Sequence, residues 1–355
     1  MRCSLKTGGI ESCPLWDRSK TTESESGKRM RTSDQDNRVT GAEDAARDFE
    51  QDFEKYRPLL FSIAYRMLGS AMEAEDIVQE AFLRYQRVNA AEVESPKAYL
   101  TTIITRLCLD QLKSARAQRE QYVGIWLPEP LVTHDGTDFA GIELPGTAYA
   151  RRESISLAFL HVLERLSPVE RAVFLLREVF DYPYSDIARM IGKREDNCRR
   201  YYHNAKRDLM AHRPRFEAST EGHRALIERF VKAVSTGDID VLTELLAEDV
   251  QLVSDGGGKA PASPQPVYGR TMALRLYRNL GRFIPEDGQV LITEINGSPA
   301  LVLRDTHRIL AVVTFTIIEG RIQLVHNLFN PDKLQKIEPS LADAEAIAFD
   351  DSPSA

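Results

Sequence analysis

Residues 184–209 (YSDIARMIGKREDNCRRYYHNAKRDL) hold the densest set of side chains able to do recognition chemistry. A short helix, Gly192 at the turn and a second helix make a helix-turn-helix. On the second helix Cys198, Tyr202, Ala205 and Leu209 follow the spacing i, i+4, i+7, i+11 and form an apolar stripe. The opposite face presents Asp196, Arg199, Arg200, His203, Asn204 and Arg207, side chains that reach phosphates and base edges in a major groove. From Lys193 to Arg215 eight Lys/Arg stand against three acids, although the whole chain has net charge −7. The plainer reading is a solvated basic face on an unrelated helical hairpin. A second basic stretch, residues 95–119, carries Lys97, Arg106, Lys113, Arg116 and Arg119, with Tyr99 at the helix start. Basic charge beside an aromatic ring suits unpaired DNA, where bases stack, but a ring at helical spacing is more often a core residue.

Acid–base candidates lie further along: Asp255, Tyr268, Asp305, His307 and His326. None forms a local pair at diagnostic spacing, so no catalytic residue is assigned. Asp255-Gly256-Gly257-Gly258-Lys259 is not G-x-x-x-x-G-K-S/T, and nucleotide binding is not expected. Three successive glycines instead permit close approach of another segment, here read as an interdomain contact. Cys3, Cys13, Cys108 and Cys198 lack C-x-x-C or Cys/His spacing, so neither a metal site nor a disulfide framework is expected. No cofactor is called for.

The elements that must position these residues follow from composition and period. The 355 residues are 43% hydrophobic and 28% charged, which excludes a disordered chain and predicts two or three domains. No apolar run reaches membrane-spanning length, and the first thirty residues lack a signal-peptide core. Residues 1–47 read as a flexible extension. Helical periodicity over 48–120 places Phe53, Tyr56, Leu60, Ile63, Ala64 and Met67 on one stripe, followed by helices near 73–87 and from Pro96 onward. Residues 121–151 break the period with three Pro and four Gly and form a linker, more apolar than a spacer at Trp126, Leu127 and Pro128. Four short helices fill 152–213. From 220 to 335 helices precede a strand at 250–254, a helix near 271–280 and β-rich runs at 289–295, 300–303, 309–318 and 321–329. Asn296-Gly297 and Glu319-Gly320 mark hairpins, giving an α+β domain with an antiparallel curved sheet. Residues 336–355 read as an acidic, flexible tail.

Four ordered blocks and three short motifs then carry a resemblance. Ala74-Glu-Asp-Ile-Val-Gln-Glu-Ala-Phe-Leu-Arg84 resembles region 2.2 of the extracytoplasmic-function sigma factors of the sigma-70 family. Residues 96–112 resemble regions 2.3 and 2.4, residues 166–178 resemble region 4.1, and the helix-turn-helix resembles region 4.2. Trp126-Leu-Pro-Glu-Pro130, Asp255-Gly-Gly-Gly-Lys259 and Asn330-Pro331-Asp332-Lys333-Leu334 match a subgroup whose C-terminal domain is similar to SnoaL polyketide cyclases and nuclear transport factor 2. The fold so implied is multidomain: two all-α sigma domains followed by an α+β SnoaL-like cone.

The resemblance implies a sigma factor that binds core RNA polymerase through its β′ clamp and β flap, reads −35 and −10 promoter elements, and is regulated in cis by its C-terminal domain. It places polymerase docking on Asp76, Gln79, Glu80 and Leu83, and −10 contacts on Lys97, Tyr99, Arg106 and Lys113. The −35 contacts fall on Asp196, Arg199, Arg200, His203, Asn204 and Arg207, and the interdomain role on residues 126–128, 255–259 and 330–334. A cytoplasmic location with no membrane partner follows. Whether the cone takes a small ligand stays open at this point. The competing reading is a SnoaL-like cyclase or isomerase fused to a DNA-binding module.

Overall fold

The protein is described from a computed structural model, which defines residues 53–88, 93–119, 121–133, 154–212, 220–278, 287–335, 337 and 345–347. The extension at 1–47 and most of the linker after Thr133 lie outside the described residues.

Residues 53–68 form α1, followed by α2 (Ala71–Tyr85) and α3 (Pro96–Arg119). Their apolar stripes close on one another: Leu60, Ile63, Ala64 and Met67 of α1 meet Ala74, Val78 and Ala81 of α2 and Leu100, Ile104 and Cys108 of α3, all buried. A second helical group comprises α4 (Leu157–Leu163), α5 (Pro168–Glu178), α6 (Tyr184–Ile191) and α7 (Glu195–His212). Local chemistry sets each boundary. Ser167 and Glu170 form a reciprocal capping box at the start of α5, with Pro168 in the first turn. Gly192 ends α6 in the left-handed region at φ 64°, and α7 leaves at a new angle. Val173, Leu176, Ile187, Met190 and Cys198 are the small core that fixes α6 against α7.

The C-terminal part begins with α8 (Thr220–Thr236) and α9 (Ile239–Leu245), then β1 (Leu246–Asp255), β2 (Val267–Tyr268) and α10 (Arg270–Tyr277). It continues with β3 (Gln289–Ile295), β4 (Ser298–Arg304), β5 (Ile309–Ile318), β6 (Arg321–Leu328), α11 (Pro331–Leu334) and β7 (Glu345–Ile347). The strands form one sheet in the order β2-β1-β6-β5-β4-β3-β7. Asn296 and Glu319 take positive φ beside Gly297 and Gly320, as the two hairpin signals require.

Two expectations need correction. The sheet is mixed, because β1 runs parallel to β6; alternation fixes which face a side chain occupies, but not the direction of the partner strand. The tail is not wholly flexible, since Glu345–Ile347 adds to β3 as an antiparallel strand and closes that sheet edge.

The period of two gives the sheet two working faces. Leu252, Val290, Ile292, Leu301, Phe315, Ile317 and Val325 pack beneath α8, α9 and α10. Their neighbours Val253, Leu291, Ile295, Val302, Val312 and Leu328 point the other way, into a cluster shared with Leu127 of the linker and Leu157 of α4. The second face is therefore an internal interface with the helical part. Among the described residues no helix is long and apolar enough to cross a membrane.

Replacing Ser167 with Ala removes the hydroxyl half of the α5 capping box and leaves the backbone N–H of residue 167 to Glu170. It is expected to cost about 1 kcal/mol, read as a lower midpoint in urea unfolding followed by circular dichroism.

Candidate nucleic-acid interface and interdomain contact

On α7, Cys198, Ala205 and Leu209 are buried, so the helix turns its other side outward. Asp196, Arg199, Arg200, His203 and Arg207 are exposed there and Asn204 is half-buried. Arg199 pairs with Glu195 at 2.5 Å and lies over the Tyr184 ring at 4.6 Å; Arg200 lies over Tyr201 at 5.9 Å. Both guanidinium groups are thus held near the surface beside aromatic rings, where they can meet hydrogen-bonding partners. Tyr202 packs under Phe174 and donates to Glu178, so it serves the core as well as the surface.

On α2, Asp76, Gln79 and Leu83 are exposed along one face and Glu80 is half-buried, paired with Arg84 at 2.7 Å. Met72 and Leu83 are large apolar side chains left in water on this same face. The α3 residues separate. Lys97 is exposed, Lys113 pairs with Asp110 at 2.9 Å, and Tyr99 is half-buried against Tyr85, 6.3 Å between centroids. Arg106 does something else: its Nε donates to Met190 O at 2.9 Å and its Nη2 to Arg189 O at 3.2 Å, capping the carbonyl end of α6. The helix expected to meet melted DNA is therefore docked on the helix-turn-helix, with a Thr101–Tyr182 hydroxyl contact at 3.2 Å beside it. Arg171 adds a buried tie, donating to Met67 O at 2.8 Å and Glu164 at 2.7 Å; burial pulls its guanidinium down to about 9.

The linker and the C-terminal domain meet at Asp255, which is fully buried. Its Oδ1 accepts from Tyr122 OH at 2.6 Å and Gly257 N at 3.0 Å. Its Oδ2 accepts from Leu127 N at 2.9 Å and from Lys333 Nζ at 2.7 Å. Lys333 also donates to Leu127 O at 2.5 Å and sits 4.2 Å above the Trp126 ring. One linker residue, Leu127, is thereby held by its N–H and by its carbonyl through a buried ion pair. Asn330 is the N-cap of α11 and Pro331 its first residue, which aims Lys333 inward; Asn330 Nδ2 also donates to Tyr122 OH at 2.9 Å. Gly257 has φ 57°, and a Cβ there would collide with the Asn330 carboxamide. Lys259 pairs with Asp332 at the rim, 2.6 Å. Burial first, then the Asp255 carboxylate, push the Tyr122 phenol upward.

Three further residues extend this contact, none of them anticipated as site residues. Glu129 caps α2: its carboxylate accepts from Ser70 Oγ at 2.8 Å, Ala71 N at 2.7 Å and Met72 N at 3.1 Å. Tyr65 of α1 donates to Glu129 O at 2.6 Å. Asn296, legible only as a turn residue, is 1% exposed and joins three parts of the chain: Leu131 N donates to its Oδ1 at 2.9 Å, and its Nδ2 donates to Tyr65 OH at 2.7 Å and Ile155 O at 2.9 Å. The signal for Glu129 was present, an acid between two prolines in an apolar segment.

The acid–base candidates do not converge. Tyr268 and His307 are exposed, and Asp305 caps its own turn, accepting from His307 N and Arg308 N at 2.7 Å; those backbone hydrogen bonds lower its carboxyl. His326 is buried against His161 of α4, and Asp255 is occupied by the linker. Among the described residues no group of three or more His, Cys, Asp or Glu is placed to hold a metal ion.

Comparison with known proteins fits this division of the chain. Residues 53–118 match the Sigma-70 region 2 family and residues 156–209 the Sigma-70 region 4 family. The ECF RNA polymerase sigma factor SigJ of Mycobacterium tuberculosis is 34% identical over 293 residues, covering 79% of this chain and 92% of that protein. The probable ECF RNA polymerase sigma factor SigI of the same species is 32% identical, with 81% and 94% covered. A crystal structure of M. tuberculosis SigJ superposes with a TM-score of 0.63 at 31% identity, over 80% of this chain and 97% of that one.

Lys333→Met is expected to destabilise the chain by about 3–5 kcal/mol, because it leaves the Asp255 charge buried and unpaired. Adding Asp255→Asn in the same chain should restore part of that loss, and denaturant unfolding of the two variants checks the order.

Proposed function

The chain belongs to the extracytoplasmic-function sigma factors of RNA polymerase, and on that premise we propose how its parts serve promoter recognition. It is an alternative sigma factor acting in transcription initiation, with a C-terminal α+β domain. The exposed stripe Asp76, Gln79, Glu80 and Leu83 docks on core polymerase at the β′ clamp, and region 4 reaches the β flap. An acidic stripe carrying an exposed leucine fits a partner helix with basic and apolar positions. The outward face of α7, with Arg199, Arg200, His203, Asn204 and Arg207, reads the −35 duplex, while Asp196 stands at its leading turn. Lys97, Tyr99, Arg106 and Lys113 meet the −10 strand. The observation that carries this reading is the ordered pair of sigma regions with a basic, outward recognition face on α7.

The C-terminal domain acts in cis. It holds residues 126–128 through Asp255, Gly257 and Lys333, while Arg106 is engaged with the carbonyls of α6. Arg106 cannot cap α6 and meet DNA together, so promoter engagement requires regions 2 and 4 to part. No catalytic role is proposed for the C-terminal domain, because its acid–base residues are dispersed and two of them, Asp255 and His326, are committed to interdomain contacts. The protein is read as cytoplasmic, working where polymerase and chromosome are.

Transcription in vitro with core polymerase and the full chain tests the reading. Promoter-dependent transcripts are expected; none from a genomic-fragment library would overturn it. Leu83→Glu should weaken core binding by tenfold or more in a pull-down titration. Arg200→Ala should cost about 1–3 kcal/mol of affinity for the preferred −35 sequence, with little effect on unrelated duplexes, measured on the assembled holoenzyme.

A further inference from the structure

His161 of α4 and His326 of β6 face each other across the junction of region 4 and the C-terminal sheet. Their Nδ1 and Nε2 atoms are 3.2 Å apart, with ring centroids 5.2 Å apart and planes at 81°. His326 is 2% exposed and lies on the sheet face that packs against the helical part, between Val253 and Thr314 on the neighbouring strands. At that separation one ring must donate and the other accept, so a single hydrogen lies between the facing nitrogens. Full protonation would set two N–H groups of two cations against each other where His326 is buried and His161 half-buried.

We propose that this pair is an acid-sensitive latch: separated rings take up protons that the closed junction excludes, so acidification releases region 4 from the C-terminal domain. The surrounding charges oppose protonation more than they favour it. Arg165, one turn on from His161, faces it while pairing with Asp208 of α7 at 3.7 Å. From β1 and α11 come Asp255 and Lys333, which largely offset each other at 2.7 Å. Glu164 is turned to Arg171 at 2.7 Å, and the strand neighbours of His326 do not titrate. Burial first, then Arg165, bring His161 down to about 4, and burial with His161 holds His326 well below the usual imidazole value. Because both values are depressed in the closed form, the latch is intact above the ordinary imidazole pKa and weakens as pH falls below it. At pH 5.5 a separated ring of pKa about 6.5 favours the open form about tenfold, and two rings about a hundredfold.

The latch rests on the reading that the C-terminal domain restrains region 4. Its test reads a distance rather than transcription, so a failed latch and a failed sigma assignment are separable. Fluorophores on Met210→Cys and Met272→Cys, both exposed positions, report separation of α7 and α10 in the full chain once Cys3 and Cys13 are Ser; Cys108 and Cys198 are buried. From pH 7.5 to 5.5 the ratio of separated to closed molecules should rise by tenfold or more. In the H161Q/H326Q chain, an amide pair neutral at every pH, it should stay within about twofold. An unchanged wild-type ratio, or the same rise in both chains, overturns the proposal. Should the double variant already be separated at pH 7.5, imidazole titration of the wild-type chain by NMR decides. Both rings neutral down to about pH 5 in the closed form support the latch, and ordinary titration near 6.5 overturns it.

Discussion

A carboxylate with no exposure to water needs every acceptor position filled, and Asp255 meets that demand with four groups from three places in the chain. Tyr122 and Leu127 come from the linker, Gly257 from its own turn and Lys333 from α11. Removing any one leaves a buried charge short of a partner. The segment between regions 2 and 4, lacking secondary structure of its own through most of residues 121–133, thus acquires a fixed path from the buried carboxylate to which it donates hydrogen bonds. The remaining interdomain contacts are laid along that path: Glu129 reaches α2, and Leu131, Val132 and Thr133 run beside the Asn296 hairpin.

This arrangement gives the C-terminal domain a hold on both halves of the promoter-reading part. Through Glu129 it touches the N-terminus of the helix assigned to polymerase docking, where an acid is favoured by the helix dipole. Through Asn296 it reaches Tyr65 of α1 and Ile155 ahead of α4. Regions 2 and 4 are also bound directly, by Arg106 on α6 and by Arg171 on the end of α1. Breaking one contact therefore leaves others, and release of the closed form should be cooperative rather than graded.

Much of this was readable from residue types. The Ser167–Glu170 box, Gly192 at a left-handed turn and the Asn296-Gly297 hairpin are local rules, and each appears where short-range chemistry places it. The face of α7 was legible because a period of 3.6 leaves one answer once Cys198, Ala205 and Leu209 are inward. Three kinds of feature were not. Strand direction in β1 and the late pairing of Glu345–Ile347 depend on distant partners. The positions of Arg106, on a helix end rather than in solvent, and of His161, against β6, depend on domain packing that no local pattern encodes. Asn296 is legible as a turn residue but not as a junction, because one side chain also serves Leu131, Tyr65 and Ile155.

Asp255 is the point at which the C-terminal domain fixes the linker. Amide hydrogen exchange across residues 122–133 in the full chain tests it most directly. The Leu127 amide is expected to exchange at least about a thousandfold more slowly than an unprotected amide, with this protection falling sharply in the Asp255→Asn chain. Exchange of Leu127 at the unprotected rate in the unaltered chain would contradict it.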